Sequence, residues 1–393
     1  MQRVERNIKL LYIYKVSISF LLIAPILVIF MQHRGLSFLE IMLLQSLFSF
    51  SSIIFEVPSG YFSDKLGRKK TLIIASVALS VSIILFSMAH SVSAFAVSEI
   101  FFGFAYSMIS GTDSSLLYET LIEQNKEEQY AKIWGDMNFY ALLGVATASI
   151  LGGFLANYSL DLVAYLTIIP FSLTIVITLL FTEPKRVQQQ NKKSIKDDIA
   201  EVKTFLKGNI ALSLIILLSA VIFMFNQSAF WLYQPFLKES NISLEYYGVI
   251  FASFQVVAAF ASKYSYSLQK WLSLKRFLIV VSLISPISII LMGLNVTTFG
   301  FVLIYAQQIT RSFKNIIVSQ IINEQVQSGM RATVVSIASL VAKLSFTILL
   351  PIVGYFMDLY SLSNILIALG GAGVAVIGGV LIVVIKKANS LFD

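Results

Sequence analysis

Gly60-Tyr61-Phe62-Ser63-Asp64-Lys65-Leu66-Gly67-Arg68-Lys69-Lys70 separates two long apolar runs, one ending near residue 62 and the next starting near residue 71. The glycines allow a tight turn between closely packed helices, Asp64 can face a helix N-terminus, and Arg68 can meet a carboxylate. A merely basic loop would explain Lys65, Arg68, Lys69 and Lys70, but not the two glycines and the aspartate.

Outward from this loop the chain is apolar almost throughout. Hydrophobic residues make up 57% of the 393 and charged residues 13%, with a mean hydropathy of +0.82, whereas a soluble domain carries about a quarter charged residues. A water-soluble globule is excluded. At roughly 20 residues per crossing, the length holds about twelve spanning helices and no separate catalytic domain. The apolar runs place spans near 8–31, 38–62, 71–90, 92–118, 133–156, 160–181, 209–236, 244–264, 273–294, 298–325, 331–357 and 361–385. The first run follows a charged start and has no small-residue cleavage site, so it reads as a retained span.

The net charge of +8 and pI of 9.4 do not require nucleic acid. Loops on the side of the termini hold 22 Lys and Arg, and the opposite loops hold two, Arg34 and Lys238. Positive charge is retained in the cytoplasm during insertion, so both termini are expected inside a bacterial inner membrane. There is no cysteine, and His33 and His90 fall in expected outer loops. No metal-ligand spacing, Walker glycine loop or H-E-x-x-H motif is found, so an enzyme, a metal site and a cofactor are not expected.

The polar stretch from Glu183 to Asn209 divides six spans from six, giving expected domains at 1–182 and 209–393 with a cytoplasmic linker over 183–208. The linker's second part, DDIAEVKTFLK, reads as an amphipathic surface helix. Shifting the chain by 201 residues aligns Glu123-Gln124 with Glu324-Gln325, Ala131 with Ala332, Leu143 with Leu344 and Gly153 with Gly354. Those matches suggest an internal repeat.

The loop at 60–70 meets every fixed position of G-x-x-x-D-[KR]-x-G-[RK]-[RK], and so resembles the loop signature of the major facilitator superfamily, at the expected place after the second span. The resemblance implies an all-α membrane fold with two pseudo-symmetric six-helix bundles around a central cavity. It also implies a monomeric, secondary active transporter of small molecules working by alternating access in the lipid bilayer. Gly60, Asp64, Lys65, Gly67, Arg68 and Lys69 would form the gating loop. Two other signatures are partly kept. The exporter pattern of span 5 maps onto Gly135, Gly144, Ala148, Ser149, Gly152 and Gly153, with Ala-Ser replacing Gly-Pro. In span 4 the R-x-x-x-G pattern becomes Glu99-Ile100-Phe101-Phe102-Gly103, so the arginine's role does not transfer.

Ionisable groups inside a bilayer are costly and therefore informative. At 100° per residue, Glu99, Gly103, Tyr106, Ser110 and Asp113 form one stripe of span 4. Span 10 carries Gln307, Arg311, Lys314 and Asn315 at spacings of three and four, and the 201-residue shift sets Asp113 over Lys314. An ion pair of Asp113 with Arg311 or Lys314 is expected, with Asp113 or Glu99 as the proton acceptor. Lys343, midway along span 11, could bind an anionic substrate group or, as part of the coupling set, pair with Asp113 or Glu99. Tyr106, Asn226, Gln227 and Gln307 are candidate substrate contacts, while Gln45 and Gln255 are further amides within spans. Lys15 is expected to snorkel to the inner surface. Glu56, Glu119 and Asp136 are expected to tie the loop to span 4. The favoured reading is proton-coupled export of drugs or other amphipathic solutes. Transport of a sugar, amino acid, peptide or siderophore is the nearest rival, and a receptor or assembly factor without transport is the alternative of another class.

Overall fold

A computed structural model describes residues 2–185 and 195–387, which form helices joined by short turns, with no strand among them. The chain packs into two compact units, one of Met1–Gln189 with Ser243–Ser253 and one of Gln190–Ile242 with Phe254–Asp393.

The first unit contains α1 (Gln2–Ser19), α2 (Leu27–His33), α3 (Phe38–Leu66), α4 (Arg68–Met88), α5 (Val92–Ile109), α6 (Thr112–Glu123), α7 (Tyr130–Ala156) and α8 (Leu160–Leu180). Local signals set its boundaries. Ser37 and Glu40 form a reciprocal capping box that starts α3, and Ser91 and Ser159 accept from the third residue of α5 and α8, each side chain satisfying a backbone donor the helix leaves open. Helix association in a bilayer lacks a hydrophobic drive and depends on close packing and short polar bridges. Here α4 supplies serines: Ser80 and Ser87 donate to the carbonyls of Phe171 and Ala164 at 3.1 and 3.0 Å, and Ser82's carbonyl accepts from Ser98 at 2.8 Å.

The second unit contains α9 (Ile195–Gly208), α10 (Ile210–Trp231), α11 (Tyr233–Glu239), α13 (Leu274–Leu294), α14 (Val302–Gln325), α15 (Ser328–Leu359) and α16 (Leu362–Lys387). The helix between α11 and α13, α12 (Leu244–Leu272), gives its first ten residues to the first unit. Helix pairings recur: α1 with α7, α4 with α8 and α4 with α5 correspond to α10 with α15, α13 with α16 and α13 with α14. The repeat hinted at by a few aligned residues is therefore visible in packing.

Eleven segments among the described residues are long and apolar enough to cross a membrane. The helix of span 10, α14, is outside that set, its apolar residues being interrupted by Gln307, Gln308, Arg311, Lys314 and Asn315. Three expected spans are broken. Span 1 is interrupted between α1 and α2 by a 3-10 turn holding Pro25, and span 7 at Leu232, three residues before Pro235. Proline lacks the N–H that would carry the helix through. Span 4 breaks at Gly111, whose φ of +77° lies in the left-handed region that glycine enters without a Cβ clash.

Candidate transport site

The loop at 60–70 folds into the end of α3, a single-residue turn and the start of α4. Gly67, at φ +102°, makes that turn, and a Cβ there would lie 2.5 Å from the Glu183 carboxylate. The carboxylate accepts from the backbone N–H of Arg68 and Lys69 at 2.7 and 2.8 Å, so a residue from beyond α8 caps α4 where its dipole is positive. Arg68 donates to Asp64 Oδ1 at 3.0 Å, Ser63 Oγ at 2.7 Å and Glu119 Oε1 at 2.9 Å. The guanidinium thus joins α3, α4 and α6. Lys65 lies over the Tyr61 ring at 5.7 Å, and Gly60 has open space around it.

The same end of the unit is tied to its first helix. Asn7 is fully buried, donates to Thr120 Oγ1 and the Thr182 carbonyl, and accepts from Thr182 N–H. Lys185 N–H donates to Glu123 at 2.9 Å. Residues 182–185, assigned from sequence in large part to a linker, are built into the first unit's surface by these bonds.

Within span 4 the two carboxylates take different partners. Glu99, 4% exposed, accepts from Gln45 Nε2 of α3 at 3.1 Å. One turn on, a Cβ at Gly103 would stand 2.6 to 2.9 Å from Ser51 and the α3 backbone, so glycine here lets α5 and α3 touch. Tyr106 packs edge-on to Phe48 and stacks near Phe102. Asp113, 3% exposed, lies in the first turn of α6, accepts from Ser114 N–H and pairs with Lys15 Nζ at 2.5 Å. The ammonium also sits 4.3 Å from the Trp134 ring centroid of α7. This corrects one expectation: Lys15 does not snorkel to the surface but turns inward to a buried carboxylate and an indole face, and so is an ion partner of Asp113 within the first unit. Asp136, with Tyr12, Val16 and Tyr140, lines a groove of about 770 Å³ on α1 and α7.

In span 5, Gly144 accommodates Val16, and a Cβ at Gly152 would collide with the Leu22 carbonyl. A Cβ at Gly153 would stand 2.5 Å from Gly248 N. The partial exporter pattern therefore marks backbone contacts of α7 with the end of span 1 and the start of α12.

The second unit holds a neutral network. Gln307 is fully buried, accepts from Asn226 Nδ2 at 2.8 Å and Ser285 Oγ at 2.7 Å, and donates to the Ser285 carbonyl and Ser288 Oγ. Both Gln307 side-chain atoms are engaged, so in this state the amide clamps α10, α13 and α14. That differs from the substrate contact foreseen for Gln307 and Asn226. Gln227 is half-buried, as is Lys343 in α15, while Arg311 is exposed. Lys314 is 9% exposed, its Nζ 5.2 Å from the Phe223 ring centroid.

Sequence reasoning missed Glu183 and Trp134 and gave Lys15 a surface role. A carboxylate directly after span 6 was visible, but only the fold shows that span 6 ends beside Gly67.

A chain of this kind, with repeated helix pairing, broken first helices and buried ionisable groups on its fourth span, is a multi-pass helical membrane protein. The family model of the Major Facilitator Superfamily matches residues 16–344, and the chain belongs to that family. It is 27% identical over 188 residues to the quinolone resistance protein NorA of Staphylococcus aureus, a match covering 46% of this chain and 47% of NorA. The chain thus spans about half the length of that curated relative. An uncharacterized MFS-type transporter of Methanocaldococcus jannaschii is 25% identical over 268 residues, 66% of this chain and 67% of that protein. Among solved structures, the nucleoside transporter NupG superposes with a TM-score of 0.80 at 16% identity, covering 98% of this chain and all of NupG. A D-xylose-proton symporter gives a TM-score of 0.67 at 15% identity over 95% of both chains. At such identities the likeness is one of fold.

Proposed function

We propose that this transporter couples proton entry to export of drugs or other small amphipathic solutes from a bacterial cell, with both termini in the cytoplasm. Its six-helix halves, 1–182 and 209–393, would expose one site alternately to each side of the membrane. The observation that carries the reading is the buried Lys15–Asp113 pair at the start of α6. A proton on Asp113 removes the charge that holds the Lys15 ammonium, so the bond between α1 and α6 weakens and the broken span can change its arrangement. Glu99, bound to a neutral amide, offers a second proton acceptor that disturbs no ion pair when it is neutralised. The substrate class rests on the similarity to NorA, a protein named for quinolone resistance.

Proteoliposomes with an imposed pH gradient, tested with cationic, neutral and anionic fluorescent solutes, check the proposal. Gradient-driven flux of an amphipathic solute is expected in the parent chain, with a loss on the order of tenfold in Asp113→Asn, about 1.4 kcal/mol in the driven step. Glu99→Gln is expected to lower the pH sensitivity of the same flux. Unaltered gradient-driven flux in both variants removes these carboxylates from coupling, and solute binding without flux of any solute assigns the chain to the receptor class.

A further inference from the structure

Where α9 meets α10, an apolar groove of about 570 Å³ opens beside Lys203 and Lys207. Ile210, Leu214 and Leu217 recur at i, i+4 and i+7, forming one stripe that descends about 10 Å along α10. Ile337 of α15 completes the wall. Ile210 and Leu217 are 57% and 42% exposed, in the first turns of a helix long and apolar enough to cross the bilayer. Lys203 and Lys207 are exposed, one turn apart on α9, and line the same groove. Their positions are fixed by the backbone: Val202 is buried against the unit, and Ser213 Oγ donates to the Leu206 carbonyl at 2.7 Å. The acidic residues of α9 all precede Lys203, which leaves its groove-side end basic.

We infer that this groove binds one anionic phospholipid, with the phosphate on Lys203 and Lys207 and an acyl chain along Ile210, Leu214, Leu217 and Ile337. A soluble anion would meet the lysines and leave the stripe uncovered. A zwitterionic lipid would fill the stripe but bring its own ammonium toward two others. An anionic headgroup on an acyl chain satisfies both. Each lysine near an anionic headgroup contributes about fivefold in preference, before screening. The inference needs only that α10 enters the bilayer, and stands apart from the direction and coupling of transport.

Leu217→Trp in the full chain, reconstituted in phosphatidylcholine with increasing dibrominated phosphatidylglycerol, reports groove occupancy by quenching beyond that of the native tryptophans. The expected preference for phosphatidylglycerol over dibrominated phosphatidylcholine is about tenfold, falling to near parity with Lys203→Gln/Lys207→Gln and unchanged with Lys238→Gln. Equal preference before and after the double substitution overturns the proposal. So does reporter fluorescence that neither lipid quenches, the outcome if protein covers the groove. Lipid retained by the detergent-purified chain without the reporter, counted by mass spectrometry, serves as an independent check: one phosphatidylglycerol is expected in the parent and none with the double substitution. Retention unchanged by the substitution, or loss of the parent's bound lipid to millimolar inorganic phosphate alone, contradicts it.

Discussion

Spans 4 and 10 hold matching places in their units, yet one is broken and acidic while the other is continuous and basic. In span 4 each carboxylate has one side-chain partner from a different helix, Gln45 for Glu99 and Lys15 for Asp113. In span 10, Gln307 is fixed by four bonds to neutral groups, and Lys314 lies against the ring of Phe223. A carboxylate changes its charge with one proton, and an ammonium partner then loses its attraction. An amide network has no such state. Polar residues of equal burial therefore divide into a part able to respond to protons and a part that holds helices together.

The largest effect that can break this contrast is expected from Lys15→Ala. Removing one partner of a buried pair leaves an uncompensated charge and costs roughly 3 to 5 kcal/mol. Thermal unfolding of the purified protein should fall sharply, and Lys15→Ala/Asp113→Ala should recover much of the loss while leaving gradient-driven flux impaired. A double variant no more stable than the single one would show that the stranded Asp113 charge is not what the single substitution costs. Next in size is Gln307→Leu, which strips partners from buried Asn226, Ser285 and Ser288 at about 1 to 3 kcal/mol. It should lower the unfolding temperature with the KM for solute in the vesicle assay unchanged; a raised KM with unchanged stability would place Gln307 in the substrate site and blur the contrast. The smallest expected effect is Glu183→Gln. A neutral amide still reaches Arg68 N–H with its oxygen but turns an NH2 donor toward Lys69 N–H, so one hydrogen bond is lost along with the charge–dipole part, about 1 kcal/mol or a little more in all. Salt titration of the unfolding temperature separates it, since the parent's advantage should shrink as ionic strength rises.

Much of the architecture is legible in the chain because hydrophobic runs of spanning length and the loop at 60–70 are local signals. The turn at Gly67 and the closeness of Gly103 to α3 follow from glycine where no other residue fits. The partners of the ionisable groups were not legible. Lys15 and Asp113 lie 98 positions apart in the sequence, and helical periodicity aligns residues within one helix but not between two. The stripe drawn from Glu99 to Asp113 assumed an unbroken helix, whereas Gly111 ends that period with a left-handed residue. Nor were the serine partners of Gln307 on α13 legible, because their register against α14 is a tertiary fact.

Gly111 also separates two levers. Glu99 rides on α5, clamped to α3 by the Gly103 contact, while Asp113 rides on α6 beyond the joint. The α6 side of that joint is held in turn by Lys15 of α1 and, through Glu119, by Arg68. The two acids of a single span therefore answer to different neighbours, one on each side of a left-handed residue.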